Sequence, residues 1–141
     1  MQLSLHSDYA LRILMALAAR RERLSVDDVA RQYGISRNHL AKVAQDLQTH
    51  GFIITKRGRN GGMELAKPPP DIVVGDVIRK FERLDGFVSC SPEGAGCAVD
   101  GACGLKLALS KALEAFLAQM DRYRLSDLLP NKKAFLGLLA A

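Results

Sequence analysis

Between Ser25 and Ala66 two short helical patterns flank a glycine, and a glycine-and-arginine hairpin follows at once; few folds accommodate that order. Ser25 is a good N-cap and Asp28, three residues on, can reach back to its amide, while Val26, Val29 and Ala30 give the first helix, through Tyr33, a narrow apolar face. Gly34 breaks it, Ile35 can be buried in the turn, and Ser36 can cap a second helix to about His50. There Leu40, Val43 and Leu47 repeat at helical spacing, and Gly51 ends the pattern. The second helix presents Ser36, Arg37, Asn38, His39 and Lys42 at its start, the end that reaches base edges in a major groove. Phe52 to Lys56 and Met63 to Ala66 read as strands around a tip carrying Arg57 and Arg59 among glycines, suited to phosphates or a minor groove. Helix-turn-helix patterns alone are common in helical domains that bind nothing. An ordinary hairpin, however, has little reason to gather Lys56, Arg57 and Arg59, whose like charges repel.

Charge points the same way. Of the net +5, residues 1 to 67 hold eleven Lys or Arg against six Asp or Glu, whereas the rest holds nine of each. The excess lies beside the proposed DNA-binding unit, as an electrostatic footprint for a polyanion would. With 141 residues, nearly half apolar, the chain is long enough for one real core. No apolar run of about 18 residues and no signal-peptide pattern occurs, so a cytoplasmic location without membrane contact is expected. No phosphate loop precedes a helix and no Ser, His and Asp set stands out, which argues against an enzyme; packing or phosphate contact accounts better for His6, His39 and His50.

Outside this unit, Leu3 to Arg20 reads as a first helix capped by Ser7, with Tyr9, Leu11, Ile13, Leu14, Leu17 and Ala18 facing the core. Asp8 complements the helix dipole in the first turn, and Arg12, four residues later, suits an ion pair with it. Lys67 to Asp71 holds three prolines and reads as a stiff extended spacer. A short helix to about Leu84 follows, begun by Asp71 or Gly75 and burying Val73, Val77, Ile78 and Phe81. After an aperiodic loop, a long helix from about Cys103 to Tyr123 carries Leu105, Leu109, Leu113, Phe116, Met120 and Tyr123 near a heptad seam. Such a helix, roughly 30 Å long, suits a second copy better than the chain's own core. In the tail, Leu125 to Leu129 is expected to pack back and Phe135 to Leu139 to be disordered.

Cys90, Cys97 and Cys103 lie within fourteen residues of a glycine-rich loop that ends at this helix, whose N-terminus favours thiolates. Three thiols in a chain without an export signal are poor material for structural disulfides. Soft ligands favour an iron-sulfur cluster; zinc, which prefers tight two-residue spacings, and metal-free redox thiols stay open.

The chain also resembles the winged-helix repressor family of iron-sulfur regulators, and within it the nitric-oxide-sensitive branch. The resemblance covers almost the whole chain. It rests on Ser7 to Arg12, Gly34 to Leu40, Arg57, Gly58, Arg59, Gly61 and Gly62, Pro69, the three cysteines, and Asp121, Arg122 and Tyr123. It implies a homodimer on an inverted-repeat DNA operator, with Cys90, Cys97 and Cys103 holding a cluster whose fourth ligand is Asp8 of the other subunit. Arg12 would then release or rehold Asp8. The other branch uses a histidine three residues after the last cysteine, where this chain has Lys106. Six residues between Cys90 and Cys97, one more than is commoner in the family, leave a 4Fe-4S cluster favoured with 2Fe-2S possible.

The expected fold is therefore mainly α with a small β-hairpin wing. It comprises a winged helix-turn-helix DNA-binding domain over 1–70, a short helix and cysteine loop over 71–104, and a dimerisation helix with its tail over 105–141. The expected function is transcriptional repression with nitric oxide as signal. The alternatives are a regulator sensing iron or redox state, or a zinc-stabilised interaction module that does not bind DNA.

Overall fold

The computed structural model describes residues 2–84, 97–99 and 101–141. Its elements run α1 (Leu5–Ala19), α2 (Val26–Tyr33), α3 (Arg37–Thr49), β1 (Ile53–Lys56), β2 (Gly62–Leu65), α4 (Val74–Phe81), α5 (Gly104–Met120) and α6 (Lys132–Ala140). It is mainly helical with one two-stranded antiparallel hairpin, as the sequence pattern implies.

The capping box on α2 forms as expected. The Ser25 hydroxyl accepts from the Asp28 amide, and the Asp28 carboxylate accepts from the Ser25 amide and hydroxyl. Those bonds, the hydroxyl's first, hold the Asp28 carboxyl below its ordinary 3.8. A depressed folded-state pKa contributes stability above the ordinary value and loses it as pH falls through the folded one. Ser25→Ala should cost about 1 kcal/mol at neutral pH and flatten the acid limb of a stability-against-pH curve, readable by urea titration between pH 2 and 7. Gly34 then closes α2 in the left-handed region, φ 63, and donates its amide to Ala30.

Three local expectations need correction. Ser4, not Ser7, caps α1: its hydroxyl accepts from the Ser7 amide, and Ser7 is fully buried one turn inside the helix. Ser36 occupies the N-cap position of α3 without a side-chain capping bond. Residues Pro69–Asp71 form a single 3-10 turn rather than an extended spacer, because Pro in a first turn forfeits no helical hydrogen bond.

The core is one cluster. Ile13 and Leu14 of α1, Val29 of α2 and Leu40, Val43 and Leu47 of α3 are buried together with Ile53 and Met63 of the hairpin. Ile72, Val77 and Phe81 join them from the other side. Leu125 and Leu129 do pack back, as the tail's apolar pattern implies. The segment expected to be disordered is instead helix α6, capped by the Asn131 side chain, with Phe135 and Leu136 resting on the core.

Helix α5 is different. Although eleven of its seventeen residues are apolar, none of its described residues is buried, and Leu105 and Leu107 are 63% and 59% exposed. Its far end is tied down by α4. Arg79 of α4 grips Asp121 with two bonds, Nη1 to Oδ1 at 2.5 Å and Nη2 to Oδ2 at 2.7 Å, and Val74 donates to the Tyr123 carbonyl at 3.0 Å. Gly75 lies so close that a Cβ there would collide with the Asp121 carboxylate. Asp121 and Tyr123 thus form the clasp between α5 and α4.

Candidate functional site

Helix α2, the Gly34 turn and α3 form the helix-turn-helix. Burial of Leu40, Val43 and Leu47 on one side of α3 leaves Ser36, Arg37, Asn38, His39 and Lys42 exposed on the other. The hairpin pairs Ile53 with Leu65 and Lys56 with Gly62, so the turn between its strands carries Arg57 and Arg59, both exposed. Among the described residues Lys42, Arg57 and Arg59 enter no ion pair, so their charge is left for a ligand. Arg37 is different: its Nε meets Asp27 Oδ1 of α2 at 2.6 Å, which ties the start of the second helix to the first.

Sequence reasoning missed two residues here. Asp27 fixes Arg37, and Arg23 reaches Glu64 and Asn60 of the hairpin. Both join residues ten or more positions apart, which no local pattern shows.

The thiol region begins where α4 ends. Cys90 lies outside the described residues. Cys97 is exposed, and Cys103 is half-buried at the N-cap of α5, next to the unsatisfied amides of a helix start; both are free thiols. These donors fit a soft metal centre, yet among the described residues no three His, Cys, Asp or Glu side chains converge to hold one. Among the described residues Asp8, on α1, joins Cys97 and Cys103 in no such group. It pairs instead with Arg12, Oδ2 to Nε at 2.9 Å.

Two contacts run from these regions to the helix-turn-helix. Arg12 lies 5.5 Å over the ring of Tyr33, whose hydroxyl donates to the Arg12 carbonyl at 3.4 Å and is pushed up in pKa by burial. Phe81, closing α4 before the cysteine segment, stacks on His6 at 5.3 Å and meets His50, next after α3, edge-on at 5.7 Å. His6 in turn bonds Asp46 of α3 at 2.8 Å. The ends of α1, α3 and α4 thus share one aromatic node. Packing, as expected for His6 and His50, accounts for both.

The family model for Rrf2, described as an iron-dependent transcriptional regulator, matches residues 3–131. An HTH-type transcriptional regulator NsrR of Geobacillus kaustophilus is 42% identical, with 99% of this chain and 97% of that protein covered. Among solved structures, IscR of T. potens superposes with a TM-score of 0.74 at 24% identity, covering 95% of this chain and 90% of its own. CymR, the global cysteine regulator of B. subtilis, gives 0.68 at 25% identity, covering 91% and 95%. These relatives are transcriptional regulators rather than enzymes. Among the described residues no helix is long and apolar enough to cross a membrane.

Proposed function

The chain belongs to the Rrf2 family of transcriptional regulators, and from that premise we propose that it is a cytoplasmic repressor, a homodimer on an inverted-repeat operator that senses nitric oxide through an iron-sulfur cluster. The observation that carries the DNA half is the exposed set on α3 and the hairpin, whose cations Lys42, Arg57 and Arg59 are not neutralised by the protein. Ser36, Arg37, Asn38, His39 and Lys42 enter the major groove of each half-site; Arg57 and Arg59 reach the flanking minor grooves. Residues 1–70 form the DNA-binding unit, 71–104 the sensing segment and 105–141 the dimerisation element with its tail.

Cys90, Cys97 and Cys103 of one protomer, with Asp8 of the partner subunit, would hold the cluster, 4Fe-4S in preference to 2Fe-2S, which when bound supplies iron open to nitric oxide. The 42% identity to an NsrR supports this reading, as do two free thiols at the start of α5 and a lysine at 106 where the histidine-using branch differs. Within the chain, Arg12 holds Asp8 and itself contacts α2 through Tyr33. The route from ligand to recognition helix is therefore short.

Protein purified without oxygen should be coloured and contain iron and acid-labile sulfide. Nitric oxide added during an anisotropy titration against a promoter duplex should release the DNA. Zinc in place of iron overturns the sensing half while leaving salt-dependent DNA binding standing. Release by iron chelation but not by nitric oxide would move the chain to the iron-status regulators.

A further inference from the structure

We propose that Arg23 is a positioning residue for DNA binding, one that sets the stance of the wing without touching a phosphate; this rests on the reading of the hairpin as a DNA-binding wing. A two-stranded hairpin is marginal by itself, and this one is steadied at its base by Leu24, which exchanges backbone bonds with Met63 at 3.2 and 2.7 Å. That bridge stops short of the tip. Arg23 continues it: Nε donates to Glu64 Oε2 at 2.7 Å, and Nη1 donates to the Asn60 carbonyl at 3.0 Å, one residue from Arg59. The guanidinium borders a surface cleft of about 400 Å³ lined also by Arg21, Glu22, Asn60, Gly61 and Glu64, so it acts as a strut along the edge of that cleft.

The chemistry suits a strut better than a phosphate contact. Two of its donors are committed to the protein, its side chain is only 31% exposed, and its charge is matched by Glu64. Glu64 is itself shared, since Lys56 Nζ approaches its other oxygen at 3.2 Å. Arg23 and then Lys56 hold the Glu64 carboxyl below its ordinary range, so it stays anionic at neutral pH. A planar fork satisfies two acceptors at once, whereas a lysine ammonium offers a single point charge.

The test uses the full-length dimer and a duplex selected by the wild-type protein from a random-sequence pool. Arg23→Gln should weaken binding about tenfold, the size of losing one well-placed contact, and erase minor-groove protection in a hydroxyl-radical footprint. Major-groove methylation protection and the salt slope should be unchanged; a global loss of folding would remove both protections together. Arg23→Lys should fall between. Glu64→Gln is the sharper variant: removing a negative charge beside DNA favours tighter binding on electrostatics alone, whereas loss of the strut predicts weaker binding and the same lost footprint. A salt slope lowered by about one for Arg23→Gln would make it a phosphate contact. That result, or a tighter Glu64→Gln complex with its footprint intact, overturns the proposal. Arg59→Gln separates the premise: if its slope and footprint also match wild type, the wing does not meet DNA at all.

Discussion

Aspartate at both Leu105 and Leu109 should convert the protein to a monomer and lower its affinity for a two-half-site operator by about a hundredfold or more, because the second half-site contact ceases to be intramolecular. The expectation follows from what α5 lacks. A 17-residue helix with no buried residue among those described leaves much of its apolar stripe uncovered by the rest of the described chain. Its second half does lean on α4, where Leu113, Phe116 and Met120 line a groove with Ile78, and the Asp121 clasp fixes its end. Its first half carries Leu105 into solvent, on the same stripe as half-buried Leu109. Burying a leucine contributes about 1.5–3 kcal/mol, and two-fold symmetry counts each twice. Since neither residue belongs to the core cluster, the variant should melt like a folded monomer while sedimenting at half the mass. A dimer that survives both substitutions, or a monomer binding as tightly as wild type, removes α5 from the interface.

How much of this could be read beforehand depended on range. The α2 capping box, the Gly34 break and the apolar spacing of α3 are decided within four residues, and all formed. The hairpin was legible because Ile53 and Met63 needed burial and the glycines between them needed a turn. Ser4 and Ser7 are equally good caps in isolation. Ser4 caps α1 because the helix begins a turn earlier, where the Ser4 amide also donates to Glu82, 78 residues away. The tail could not be judged from its own apolar run, since α6 is ordered by resting Phe135 and Leu136 on a core built from the rest of the chain. Asp121 stood out in sequence, yet its role required knowing that Gly75 leaves room for its carboxylate and that Arg79 lies above it. At the thiol site residue types and spacing were legible, but among the described residues of one chain no three such side chains converge, and spacing alone does not say what completes the set.

Asp8→Ala should leave dimer and fold intact yet erase the part of operator affinity that depends on the cluster. A coupling of about 1–3 kcal/mol, or 5-fold to 150-fold in affinity, should collapse toward no difference between cluster-loaded and cluster-free protein, and iron should be lost faster. The reason lies in how weakly Asp8 is held in the single chain. Its pair with Arg12 joins side chains 37% and 42% exposed, and such pairs contribute about 0–1 kcal/mol. Arg12 therefore keeps the carboxylate oriented without preventing its transfer to a stronger partner. Arg12→Ala should act oppositely and slow iron loss, because it removes the competitor. It should also loosen Tyr33, whose ring Arg12 covers at the end of α2, beside the turn that aims α3. Absorbance decay under nitric oxide, read beside operator anisotropy, checks both. The double variant decides between exchange and independent effects: if Arg12 acts by competing for Asp8, its removal changes iron retention only while Asp8 is present. Equal, additive shifts in iron loss with and without Asp8 would mean that the arginine influences the cluster by some other route.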